Sequence, residues 1–316
     1  MVQKIKNVIV GLAHTELDKE LIEYVNFLAD TTELENIYFV HVINLHIPKE
    51  VQKDFPNLQR AALAERKAEV EDLVEKHLHP ECKVNIAVEI VKSSNHLKGI
   101  IKAIGTYNAD LVVIGRVAHK VGHSVIIQRL ARRAPCQILI VPEGINERIK
   151  SGEHMKTLLV PIDFSEYSTM AVERALSIAR KNKHKHEIEI VCQNVHELPS
   201  GYHLSGKTEE EFSEIMCKNA SESYEEFIAD INTEGVKVRP VFSKDNNGDL
   251  TSDIRDLALK IDADSIIIGS KGRTATAAFF LGSFAEKLVD NTTNFSLLIV
   301  RKKKEYEGIL DRIKKL

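Results

Sequence analysis

The sequence predicts an α/β protein made of two tandem, doubly wound domains, each with a five-stranded parallel sheet. Three observations predict it. The chain repeats itself: NADLVVIG at 108–115 returns as DADSIIIG at 262–269, ILIV at 138–141 as LLIV at 297–300, and NVIV at 7–10 as TLLV at 157–160. The shifts of 150 to 159 residues drift only slightly, so they mark small insertions in one design. Each copy alternates short apolar runs with longer amphipathic stretches, the patterns of buried strands and of helices. The length of 316 residues suits two domains of about 150.

The elements follow in order. In the first copy, 1–141, apolar runs place strands at 6–12, 36–43, 83–91, 110–115 and 136–141. Amphipathic stretches place helices at 18–31, 58–78, 96–107 and 124–133. PEGINERIKSGEHM, 142–155, reads as a linker from its proline and two glycines. In the second copy, 156–303, the strands fall at 156–162, 187–195, 236–242, 264–269 and 295–301, and the helices at 166–182, 208–231, 248–261 and 281–292. Strands that alternate with helices imply parallel neighbours joined by right-handed crossovers. Such a sheet is covered on both faces, which explains runs like SIIIG that are apolar on both sides. The tail, 304–316, is basic. Ile309, Leu310, Ile313 and Leu316 share one helical face that could dock on its own domain or on a partner subunit.

Composition narrows the function. Apolar residues make up 43% and charged residues 28%, ordinary globular usage. A net charge of -3 excludes a chain-wide nucleic-acid surface. The four cysteines lack paired spacing, which points away from a disulfide framework or zinc knuckle and towards a reducing cytoplasm. No apolar run approaches the ~18 residues of a membrane-spanning helix, so integral membrane association is not expected.

An open α/β sheet binds ligands at the carboxyl ends of its strands, where strand order reverses. In the second copy those loops are VPIDFSE, 160–166, and IIIGSKGRTATAAFFLGSFAEK, 266–287. Gly269 and Gly272 free the backbone to turn and to approach a ligand. Lys271 and Arg273 add positive charge. Gly282 and Ser283 open the last helix, whose N–H groups and dipole favour phosphate. Asp163 ends an apolar strand, placed to accept from a ribose hydroxyl or an adenine amine. Local readings compete: Gly269 as a strand-end turn, Ser283 with Glu286 as a capping box, and Asp163 as a cap of the next helix.

These residues give the second copy a resemblance to the universal stress protein family, the adenine-nucleotide α-hydrolase-like fold. Its nucleotide-binding members share G-x2-G-x9-G-[ST], matched by Gly269, Gly272, Gly282 and Ser283, and a strand-1 aspartate, matched by Asp163. The resemblance implies that Pro161, Ile162, Asp163 and Val195 frame the adenine and ribose, and that Ile268 belongs to the same nucleotide site. It implies that the glycine loop, with Lys271, Arg273 and Gly282-Ser283-Phe284, holds the phosphates of ATP, with or without Mg2+. The two-domain form resembles the tandem branch, in which the family's strand-5 contact becomes an intramolecular pseudo-dimer. Homodimer assembly is a further expectation. The first copy departs. Ala13 stands where Asp163 stands, Ala118 replaces the second glycine, and the segment between strands 4 and 5 is five residues shorter. ATP binding is expected there only weakly or not at all. Arg116, His119, Lys120 and His123 suit another anion or a solvated loop.

Other signals carry less. GYHLSGKT, 201–208, fits a P-loop pattern, but five residues separate it from its strand, and Thr208 with Glu211 forms a capping box followed by acids that oppose phosphate. The thirteen histidines show no HExxH. Pairs such as His77/His79 and His184/His186 do not share a helical face. His41 and His46 lie where either could line a pocket. The G-x-S-x-G elbow and SGGxDS loop are absent. The sequence therefore predicts a cytoplasmic, stress-responsive ATP-binding regulatory or assembly module, at most a slow ATPase. The alternatives are a scaffold or binder of another metabolite, and an α-hydrolase-type enzyme.

Overall fold

A computed structural model describes residues 3–78, 83–117, 121–145, 155–182, 187–245, 248–273, 281–291 and 294–303. The linker centre, the tail from 304, His79, Cys82, Ala118 to Lys120, His184 and His186 lie outside them, as do the side chains of His123 and Ser124. The chain divides into two units. The first comprises Gln3–Glu147 with Lys302 and Lys303, and the second Arg148–Arg301.

In the first unit the apolar runs become β1 (Asn7–Leu12), β2 (Asn36–Ile43), β3 (Asn85–Lys92), β4 (Leu111–Arg116) and β5 (Gln137–Pro142). They are joined by α1 (Leu17–Thr31), α2 (Lys49–Asp54), α3 (Leu58–His77), α4 (His96–Thr106) and α5 (Val121–Arg133). The strands lie in the order β3-β2-β1-β4-β5. All four pairings are parallel, with Leu12 opposite His41 and Gly11 opposite Ile114. The central strands are covered on both faces: Val8, Ile9, Val10, Val112 and Val113 have no exposed surface. On the edge strand β3, Ile86 is exposed.

The second unit repeats this plan. Its strands are β6 (Thr157–Pro161), β7 (Glu189–His196), β8 (Lys237–Lys244), β9 (Ser265–Gly269) and β10 (Ser296–Val300), in the order β8-β7-β6-β9-β10. Its helices are α6 (Glu166–Lys181), α7 (Glu209–Ala229), α8 (Leu250–Lys260) and α9 (Ser283–Asn291). In both units order reverses beside the first strand, at β1/β4 and at β6/β9.

Two short elements were not expected from the sequence, α2 and a 3-10 turn at Tyr202–Ser205. Neither buries a residue, so neither carries the apolar periodicity that reveals a helix. The repeat extends to backbone torsions. Among the described residues, non-glycine residues with positive φ occur in pairs at matching places, His14 (57°) with Phe164 (63°) and Asn108 (49°) with Asp262 (50°).

Candidate functional site

β6 and β9 run side by side in the second unit and end at the strand-order reversal. A cavity of about 190 Å³ opens there. Its wall takes Pro161, Ile162 and Asp163 from the end of β6, Val195 from β7, and Ile268 and Gly269 from β9. Lys271, Gly272, Gly282 and Phe284 complete the group expected from the sequence. Arg273 and Ser283 are exposed and stand outside this wall.

Asp163 organises the loop. Its Oδ1 accepts from the Ser168 hydroxyl at 2.6 Å and the Ser165 N–H at 3.0 Å, and its Oδ2 accepts from the Arg273 N–H at 3.0 Å. The carboxylate therefore ties the end of β6 to the glycine loop after β9. Burial alone would raise its pKa. The hydrogen bonds from Ser165, Ser168 and the Arg273 N–H outweigh burial and hold it below the usual carboxylate range, ionised at neutral pH. Ser165 also caps α6, its side chain accepting from the Ser168 N–H. The cap and the carboxylate are thus one network.

Each glycine has its own reason. A Cβ on Gly269 would lie 2.6 Å from the Tyr167 Cβ and 2.7 Å from the Tyr167 carbonyl, so the residue is required by the close approach of α6. A Cβ on Gly272 would lie 2.7 Å from Asp163 Oδ2, inside the loop clasp. A Cβ on Gly282 would meet nothing closer than 3.6 Å, so it would make only ordinary contacts with the glycine-loop backbone. The Gly282 N–H donates to the Ser270 carbonyl at 2.9 Å, and α9 begins at the next residue.

Positive charge lies beside these glycines. Lys271 is 7% exposed; its ammonium donates to the Tyr167 hydroxyl at 2.9 Å and lies 5.1 Å from the centre of that ring. The Arg273 guanidinium lies 5.5 Å from the centre of the Phe164 ring. Such contacts hold cations in place beside apolar walls.

Sequence reasoning missed Ser168, Gln193, Asn194, Leu250, Ile254 and Ala285, which also line the cavity. Gln193 and Asn194 carried a readable signal, two amides at the end of the apolar run IEIVC. The Asn194 amide donates to the Ile162 carbonyl at 2.9 Å, which leaves its own oxygen as an acceptor at the wall.

The first unit holds a cavity of about 390 Å³ at the same place, between the ends of β1 and β4. His41 lines it and His46 does not. With Ala13 in place of the aspartate, the loop is held from the other side. Asp18, in the first turn of α1, accepts from the Ala13 N–H at 3.0 Å and the His14 N–H at 2.7 Å. The GYHLSGKT segment folds as the 3-10 turn and a cap. The Thr208 side chain accepts from the Glu211 N–H, and the Glu211 side chain accepts from the Thr208 N–H, closing the expected capping box.

A sequence profile of the universal stress protein family matches residues 4–142 and again 154–301. Universal stress protein MJ0531 of Methanocaldococcus jannaschii is 26% identical over 163 residues, which is 51% of this chain and 92% of that protein. Two crystal structures align over nearly the whole length. A universal stress protein from Archaeoglobus fulgidus aligns with a TM-score of 0.63 at 16% identity, over 95% of this chain and 97% of that one. A functionally uncharacterised protein from Pseudomonas aeruginosa PAO1 aligns with a TM-score of 0.65 at 14% identity, over 99% and 98%. At these identities the structures speak for the fold.

Proposed function

The chain belongs to the universal stress protein family, as a tandem two-domain member, and from that premise we propose that its second unit binds ATP and acts as a nucleotide-linked regulatory or assembly module of the stress response. The observation that carries this reading is one junction. The Asp163 carboxylate, the buried Lys271 ammonium and the bare backbone at Gly272 and Gly282 meet at one cavity over the strand-order reversal.

The residues fit the nucleotide by chemistry. Pro161, Ile162, Val195 and Ile268 offer an apolar slot for the base, and the Asn194 oxygen an acceptor for its amine. Asp163 Oδ2 accepts from the Arg273 N–H and has lone-pair capacity left for a ribose hydroxyl. Lys271 and the amides that open α9 suit the phosphates. Mg2+ would arrive on the phosphates rather than in a protein cage, because no cluster of metal-binding side chains occurs among the described residues. Nucleotide occupancy would act on the glycine loop, since the Asp163 clasp joins that loop to β6.

Equilibrium dialysis with labelled ATP tests the reading. The expected result is one ATP per chain. Gly282→Leu should abolish binding while the circular dichroism spectrum and melting transition persist, because a Cβ at that position meets only ordinary contacts. Two equivalent sites, no site, or unchanged binding in Gly282→Leu would each overturn it. No helix among the described residues is long and apolar enough to cross a membrane.

A further inference from the structure

The two cavities occupy the same place in the repeat, yet the chemistry of the first has been rewritten. Its volume is about 390 Å³, twice that of its counterpart. By the 154-residue shift, Val117 stands where the buried cation Lys271 stands. Ala13 replaces Asp163. The described wall is dominated by Leu12, Val42, Ile100, Ile114 and Val117. The buried ammonium of the second unit has no equivalent among the described residues of this wall.

One polar feature has been kept by different means. His41 stands opposite Leu12 at the end of β1, and Asn194 follows Gln193, the residue opposite Pro161 at the end of β6. The His41 Nδ1 lies 3.1 Å from the Leu12 carbonyl, as the Asn194 amide lies 2.9 Å from the Ile162 carbonyl. A carbonyl can only accept, so Nδ1 carries the proton and Nε2 presents a bare lone pair. Burial holds the ring below the ordinary imidazole range despite its bond to Leu12, which keeps it in that neutral, accepting form. Asp18 is committed to the Ala13 and His14 amides of the loop. Thr15 and His96 add polar groups, and the His96 side chain is exposed.

We infer that the first-unit cavity is a binding site for a largely apolar small molecule that carries a hydrogen-bond donor, with His41 Nε2 accepting from that donor. The inference stands apart from the nucleotide reading of the second unit. The apolar walls supply affinity through burial. The His41 acceptor sets orientation, and Val117 stands where the second unit places a cation.

Isothermal titration calorimetry of the full chain with 2-naphthol and with 2-methoxynaphthalene tests this. The two share a ring system and differ in the hydroxyl donor. 2-Naphthol should bind once per chain, and the methyl ether about tenfold more weakly, the worth of one hydrogen bond. Saturating ATP should leave 2-naphthol binding unchanged. His41→Phe should lose the preference between the two probes, and His41→Asn, which restores the pattern of Asn194, should keep it. Equal affinities for the two probes, displacement by ATP, no binding, or a preference that survives His41→Phe would each overturn the inference. The probe comparison on the unaltered chain decides it even if His41→Phe fails to fold.

Discussion

Asp163 and Asp18 do the same work from opposite ends of one loop. Asp163 ends its strand and accepts from groups on α6 and on the glycine loop, whereas Asp18 sits in its helix and accepts from the strand-end amides. Their surroundings push them apart. Burial is the largest influence on both, but at Asp163 the hydrogen bonds prevail and lower the pKa, while at Asp18 burial prevails and raises it. The consequences for stability have opposite signs. The Asp163 contribution is present above the ordinary aspartate value of about 3.9 and is lost as pH falls through the depressed native value. The Asp18 contribution is present below about 3.9 and is lost as pH rises through the elevated native value. A carboxyl-carbon NMR titration of the folded chain should show Asp163 titrating below and Asp18 above that value; the reverse order would refute the account. Glycine use follows the same logic. A Cβ on Gly272 would lie 2.7 Å from Asp163 Oδ2 and would have to displace that carboxylate, and the copy with Ala13 in place of the aspartate has Ala118 in the glycine's place. A Cβ on Gly115 would lie 2.4 Å from the end of the Leu17 side chain, whereas that on Gly269 meets the Tyr167 Cβ and backbone. The sequence motif thus mixes a packing glycine with glycines facing the cavity, and spacing alone could not separate them. Asp163 was legible as a carboxylate ending an apolar strand. Ser168 was not, because a serine in the first turn of a helix reads as a local cap.

Strands and long helices were legible at the scale of elements because their apolar faces are buried in the pattern that the periodicity announces. SIIIG, LVVI and LLIV are buried on both faces of their sheets. The short helix Lys49–Asp54 was not legible, since it buries nothing. The start of α7 shows how context decides between two motifs on the same residues. The GYHLSGKT segment could cradle phosphate only if its hydroxyl and amides were available to a ligand. Instead the Thr208 hydroxyl accepts from the Glu211 N–H at 3.2 Å, and Glu209, Glu210 and Glu211 crowd the positive end of the helix dipole. Thr208→Ala should therefore cost about 1 kcal/mol of stability, as the loss of an N-cap does, and leave ATP affinity unchanged. Urea denaturation beside equilibrium dialysis reads both, and a large loss of affinity would restore the P-loop reading.

The whole chain keeps one structural device in both copies and varies the chemistry above it. At the end of each unit remote from the cavities, an aspartate preceding the fourth strand clasps the start of the first. Asp110 Oδ2 accepts from the Lys6 and Asn7 amides, both at 3.0 Å, and Asp264 Oδ2 accepts from the Lys156 and Thr157 amides at 2.7 and 2.8 Å. The positive-φ residues Asn108 and Asp262 make the turn that presents each aspartate. Asp110 also binds the ammonium of Lys303 at 2.7 Å, beyond the last strand. NADLVVIG and DADSIIIG are therefore the most readable repeat because they encode a clasp and a buried strand together, both needed by the sheet whatever the cavity holds. The loops at the other end are free of that requirement, which is why the same comparison that revealed the fold also revealed where the copies diverge. Removing a clasp should act locally. Asp264→Ala leaves two amides without a charged acceptor and should cost about 2 kcal/mol, with hydrogen exchange accelerating at Lys156 and Thr157 and unchanged at Lys6 and Asn7. Asp110→Ala should show the opposite pattern, and it removes the carboxylate partner of Lys303 as well. Equal acceleration of all four amides in either variant would mean that the clasps share one opening event, and would refute the picture of two copies each closed by its own aspartate.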